Sequence, residues 1–289
     1  MKDICCIGHI TLDKIVTAED TFFQNGGTAY YFAYGMNRLP KNVSYQLVTS
    51  IAEKDFSVIE RMQDDGIDVL AYPSKDTVFF ENKYGINKNE RTQQVLGKSD
   101  PFTVSQMEDI DARYYHLGTL LSDDFTPELV KYLAGKGKVS MDVQGYLRAV
   151  RGTQVVPVDW IGKEDVLAYT DILKLNEDEM VVITGEKDPR SVARKIASWG
   201  VNEVVITFGS EGSLIYAGGR FYEIPAYPIR QSVDVTGCGD TYSTGYLYCR
   251  AQGMNYVESG KFAAAMCSIK IEQPGPFCGT IEDILEKMK

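Results

Sequence analysis

Short apolar runs closed by glycine or a polar turn alternate along this chain with stretches of helical periodicity, and that alternation narrows the fold more than any other feature. Runs at 3–8, 45–50, 67–70, 114–117, 138–142, 172–175 and 202–208 have the length and apolar content of strands buried on both faces. Between them Phe56, Ile59 and Met62 share one helical face, and Val192, Ile196 and Trp199 share another. The pattern predicts an α/β fold, a three-layer α/β/α sandwich whose central sheet is mainly parallel and covered on both sides. Helices are expected also at 127–134, 178–184, 256–270 and 281–288, the last opened by Thr280 and Asp283 as a capping pair.

Two regions break the alternation. Residues 76–82 and 90–96 read as strands joined by a polar turn at 84–89, and neither run is uniformly apolar. Lys14 to Phe23 alternates loosely, as one short exposed strand before Asn25-Gly26-Gly27 turns the chain into a helix at Thr28. These segments are expected to lie outside the main sheet. With no repeat, linker or low-complexity stretch, residues 1–289 are expected to form one domain carrying a small β-sheet lid from about 14–24 and 76–96.

Composition removes several classes of partner. The chain carries a formal charge of −10 with a pI near 4.9 and shows no basic patch, so neither nucleic acid nor an anionic membrane is expected. No stretch reaches the roughly 20 apolar residues of a membrane span. Six cysteines include no Cys-x-x-Cys pair, and two histidines supply no zinc spacing, so free thiols in a cytoplasmic protein are expected. Neither Gly-x4-Gly-Lys-Ser/Thr nor Gly-x-Gly-x-x-Gly occurs, so the usual nucleotide loops are missing.

Anion chemistry has another source at Asp234-Val235-Thr236-Gly237-Cys238-Gly239-Asp240-Thr241. Gly237 and Gly239 let the backbone turn sharply and aim N–H groups at one point, and a helix follows whose N-terminal dipole favours anions. Asp240 projects from its first turn, where a carboxylate suits a base taking a proton from a hydroxyl that attacks phosphorus. A tight loop with a helix cap would look similar in part. Cys238, inside the loop, reads as a small residue.

The whole octet resembles the C-terminal signature of the ribokinase-like (PfkB) carbohydrate kinases. That resemblance implies an ATP-dependent kinase acting on a hydroxyl of a sugar, sugar derivative or nucleoside. In it Asp240 is the catalytic base and the backbone of Gly237, Cys238 and Gly239 forms an anion hole. The resemblance extends upstream. Asp13 with Gly26-Gly27 matches the family's acceptor site, although Tyr31 stands where an asparagine is frequent. Lys174-Leu175-Asn176-Glu177-Asp178-Glu179 resembles the Asn-x-x-Glu motif, which implies that Asn176 and Glu179 position magnesium and phosphates through water; a capping pair would use the same residues. Thr207, Gly209 and Gly212 match the nucleotide segment, with Ala263-Ala264-Ala265 small enough to admit a purine. Arg148 follows a segment at 142–147 found after the central strand in some members, and would meet substrate or phosphate. The resemblance implies ATP and Mg2+, with a monovalent cation as a further candidate, and homodimerisation through the lid. The competing class is a binding or regulatory protein that kept the fold and lost turnover.

Overall fold

The computed structural model describes residues 1–17, 19–84 and 91–289. Strand β1 (Lys2–Gly8) leads into β2 (Thr11–Val16), which returns as β3 (Thr21–Gly26) before α1 (Thr28–Arg38). Next come β4 (Tyr45–Ala52), α2 (Ser57–Asp64), β5 (Val69–Ser74) and the antiparallel pair β6 (Val78–Tyr84) and β7 (Arg91–Gly97). The turn expected at 84–89 falls almost wholly outside the described residues. The alternation resumes with β8 (Ala112–Gly118), α3 (Pro127–Ala134) and β9 (Lys138–Asp142). A 3-10 turn over Val143–Leu147 feeds a hairpin of β10 (Arg148–Arg151) and β11 (Gln154–Pro157). After it come α4 (Lys163–Leu167), β12 (Ile172–Asn176), α5 (Glu177–Thr184), α6 (Pro189–Ser198) and β13 (Glu203–Thr207). Strands β14 (Ser213–Ala217) and β15 (Arg220–Ile224) pair as a hairpin, and α7 (Cys238–Ala251), α8 (Tyr256–Lys270) and α9 (Ile281–Lys287) close the chain.

Nine strands form the main sheet in the order β15-β14-β13-β12-β9-β8-β1-β4-β5. It is parallel from β13 to β5; β14 runs against it, and β15, antiparallel to β14, runs with it again. Alternation along β1 shows why both faces are covered. Ile4 and Cys6 pack into one core with α1, α2, α7, α8 and α9, while Cys5 and Ile7 pack into the other with α3, α4, α5 and α6. This is the three-layer α/β/α architecture of the ribokinase-like fold. Thr280 and Asp283 form the expected capping box on α9.

The second sheet, ordered β10-β11-β7-β6-β2-β3, is larger than the sequence suggests. The stretch expected as one strand at 14–23 is two, because Thr17 and Asp20 exchange hydrogen bonds that close a turn between β2 and β3. The hairpin β10–β11 was not anticipated either. Its strands are four residues each, and Gln154 joins Gln94 of β7. Val78, Phe80 and Val95 give this sheet its own small core, with Leu120 and Leu121 from the loop after β8 and with Val150 and Val155 packed alongside. The strand expected at 67–70 instead spans Val69–Ser74, and Pro73 is tolerated there because β5 is an edge strand.

The fold gathers strand ends. Gly8, Asp142, Asn176 and Thr207 are the last residues of β1, β9, β12 and β13, and open parallel sheets bind ligands beyond such ends.

Candidate active site

Helix α7 begins at Cys238 behind Gly237, whose φ of 75° lies in the left-handed region. A Cβ on Gly237 would stand 2.2 Å from Cδ1 of Tyr31, so glycine is required both for the turn and for the ring packed on it. Tyr31, on α1, is buried, and it forms the floor of the loop. The segment entering the loop is fixed by Lys270, whose buried ammonium lies 3.0 Å from Asp234 Oδ2 and donates to the Asp234 carbonyl oxygen at 2.8 Å. Burial pushes Asp234 up, but the hydrogen bond from Thr236 N–H and the Lys270 ammonium outweigh it and hold the carboxyl below the usual carboxylate range. The Cys238 N–H donates to the Val235 carbonyl, and its thiol is pushed up to about 11, chiefly by burial. Cys238 is therefore a neutral, small residue of the turn.

Asp240 lies in the first turn of α7 and lines a cavity of about 570 Å³. Burial, and then the neighbouring Asp142 carboxylate, push Asp240 up to about 7. Lys174, a hydrogen bond from the Thr28 hydroxyl and Arg148 pull the other way. A carboxylate poised near neutrality can take a proton from an alcohol and release it again.

The same cavity collects most of the residues singled out from the sequence. Asp13, Gly27, Arg148, Asn176, Glu179, Thr207, Gly209, Gly237 and Gly239 all line it. Gly26 lies behind it, where a Cβ would stand 2.7 Å from Asp13 Oδ2. At Gly27, with φ of 91°, a Cβ would meet the His9 carbonyl at 2.5 Å. The glycine pair therefore lets β3 turn into α1 against β2, which brings Thr28 to Asp240. Around Asp13 stand Gln24, Asn82 and Gln93 of the smaller sheet, a set of amides able to give and accept hydrogen bonds. Sequence patterns did not find these three, since they belong to strands with no motif.

Asn176 and Glu179 make a full capping box on α5. Asn176 Oδ1 accepts from Asp178 N and Glu179 N at 2.9 Å each, and Glu179 Oε2 accepts from Asn176 N at 2.9 Å. With that oxygen committed, Asn176 is unsuited to ligate a metal directly. Glu179 has a second oxygen and lines the cavity, which fits a magnesium ion that keeps its own waters. Among the described residues no cluster of three metal-ligating side chains occurs.

Gly212 and Cys238 line a second cavity of about 350 Å³, with Ala226, Tyr227, Ile229 and Ala264 among its apolar walls. Thr207, Gly209, Val235 and Gly239 belong to both cavities, so the two adjoin across the α7 cradle. Two further residues of the first cavity were not assigned from sequence: Asp142, at the end of β9, and Lys174, inside β12.

The profile described as pfkB family carbohydrate kinase matches residues 1–280. The chain belongs to this family. Curated relatives of the kinase include a cytidine kinase of Thermococcus kodakarensis, 32% identical over 88% of this chain and 90% of the relative. A nucleoside kinase of Methanocaldococcus jannaschii is 24% identical over 95% and 92%. Among solved structures, a pyrophosphate-dependent kinase in the ribokinase family, complexed with a pyrophosphate analog and myo-inositol, aligns with a TM-score of 0.86. It is 28% identical and the match covers 98% of this chain and 99% of that one. The protein is thus a kinase of the sugar and nucleoside type.

Proposed function

We propose that the kinase transfers the terminal phosphoryl group of ATP to a hydroxyl of a polyhydroxylated acceptor, a sugar, sugar derivative or nucleoside. The observation that carries this reading is the placing of Asp240 on one cavity between the α7 cradle and the amide-rich wall around Asp13. An alcohol held by Asp13 and the amides presents its oxygen to Asp240. The oxygen attacks phosphorus, the bond to the leaving group breaks, and the alcohol proton passes to Asp240. The N–H groups of Gly237 and Gly239 and α7's dipole stabilise the charge, while the Cys238 N–H is taken by the Val235 carbonyl. Magnesium, held from Glu179 through its waters, would supply further charge neutralisation. The smaller sheet acts as the lid of a single kinase unit and keeps water from the phosphoryl group. Its edge strand β3 exposes Phe22 and Phe23, at 43% and 65%, which supports pairing of two copies through the lid.

The apolar second cavity supports ATP, since a purine fills such a space and pyrophosphate leaves it empty. Pyrophosphate is the second reading for the donor, favoured by the full-length likeness to the inositol-bound structure. Turnover is to be measured with ATP and with pyrophosphate over a panel of sugars, cyclitols and nucleosides. Phosphorylation of one acceptor class with ATP is expected. Activity with pyrophosphate alone would replace the donor, and binding of acceptors without turnover by either donor would favour a non-catalytic protein.

A further inference from the structure

Lys174 stands in a strand whose neighbours Leu173 and Leu175 are wholly buried, an unfavourable place for an ammonium unless something there requires it. Its side chain is 13% exposed and reaches Asp142 Oδ1 at 3.2 Å. The same carboxylate oxygen accepts from Ser243 Oγ of α7 at 2.9 Å, so Asp142 ties the ammonium to the catalytic helix. Beyond the backbone of its own helix and its chain neighbours, a Cβ built on Gly239 would find Lys174 Nζ at 3.2 Å and no other heavy atom of the described residues within 4 Å. The ammonium therefore overhangs the second glycine of the cradle.

Charge makes the position telling. The described residues lining the cavity include the acids Asp13, Asp142, Glu177, Asp178, Glu179 and Asp240, but only two cations, Arg148 and Lys174. A phosphoryl group entering this space adds further negative charge beside carboxylates, which costs free energy unless a cation meets it there. A purely structural lysine would satisfy Asp142 and be covered. Lys174 instead lines the open cavity next to the cradle.

We infer that Lys174 is a catalytic residue, its ammonium held by Asp142 over Gly239 so that it meets the oxygens of the phosphoryl group in transfer. The inference rests on the reading of the cradle and Asp240 given above. As the acceptor oxygen bonds to phosphorus, the bond to the leaving group breaks and its electron pair departs with that group. The acceptor proton goes to Asp240, and Lys174 keeps its own proton while donating hydrogen bonds to the equatorial oxygens.

The test compares wild type with Lys174→Met, Lys174→Gln, Lys174→Arg and Lys174→Ala, using an acceptor that the wild type turns over. An error in the acceptor or donor assignment shows in the wild-type panel, whereas an error about Lys174 shows only in the variants. Lys174→Met is expected to lower kcat by about a hundredfold or more, as loss of one transition-state donor does, while the acceptor KM moves less than about threefold. Lys174→Arg should retain more activity than Lys174→Met, and ethylammonium should restore part of the kcat of Lys174→Ala in a concentration-dependent manner. Thermal melts identify folded variants, and Lys174→Gln, which keeps the polar tip, serves if Lys174→Met does not fold. A folded variant without the charge that turns over near the wild-type rate would overturn the inference, as would a loss confined to KM.

Discussion

The two adjoining cavities differ in chemistry more than in size. Among the described residues, one is lined by six carboxylates, two cations and several amides, the other by Ala226, Tyr227, Ile229, Ala264 and Ile271 with few polar groups. Among the described residues they share the wall built from Thr207, Gly209, Val235 and Gly239. On the function proposed above, the difference teaches that recognition and reaction are separated. An apolar chamber can hold a flat base by burial alone, without charge to disturb the proton transfer next door. The charged chamber can then be arranged around a moving phosphoryl group, where each charge acts in a low-dielectric setting.

If that division holds, damage to the charged chamber should strike the rate and damage to the apolar one should strike donor affinity. Asp240→Asn is expected to reduce kcat by at least about a hundredfold with ligand binding largely kept. Near-normal turnover would remove Asp240 as the base. Asp13→Ala should raise the acceptor KM by roughly ten- to a hundredfold, the range for losing a charged hydrogen-bond partner, and leave the ATP KM unchanged. An equal rise in both constants would show that the acceptor wall is not separate. Ala264→Leu, which fills part of the apolar chamber, should weaken ATP by about tenfold through overpacking and leave any pyrophosphate-driven rate untouched. If ATP kinetics do not change, the base does not bind there.

The smallest effect expected is a shift in pH dependence. Burial and Asp142 raise Asp240 from 3.8 to about 7, and the base acts only when deprotonated. Activity in kcat/KM for the acceptor should therefore fall on the acid side with a midpoint near 7. Thr28→Val removes a hydrogen bond that favours the carboxylate, so its midpoint should move to higher pH. A wild-type midpoint near the ordinary carboxylate value would break the link between enclosure and reactivity.

Much of this was legible before any coordinates. The alternation of apolar runs located most of the parallel strands, because strands buried on both faces leave a continuous signal. The Asp234–Thr241 octet marked the start of the helix α7 that lines the charged cavity, because two glycines and a carboxylate so close together constrain a chain strongly. The β10–β11 hairpin was illegible, since four-residue strands with mixed polarity carry no periodicity, and its partner β7 is distant in sequence. Gln24, Asn82 and Gln93 were hidden for a related reason: amides at strand positions look like solvated faces until tertiary pairing turns them inward. Lys174 did leave a trace. A lysine between Ile172-Leu173 and Leu175 contradicts a buried strand, and such a conflict is where function tends to lie. Asp142 gave a weaker one, at the boundary of strand and turn, and its pairing with Lys174 depends on β9 lying beside β12.

The joint between β3 and α1 is one residue long. Gly27 alone separates the last residue of β3, in the smaller sheet, from Thr28, which hydrogen-bonds to Asp240. The smaller sheet and Asp240 therefore share a lever with a single pivot. Any side chain there would collide with the His9 carbonyl, so a change at this one position displaces both ends at once.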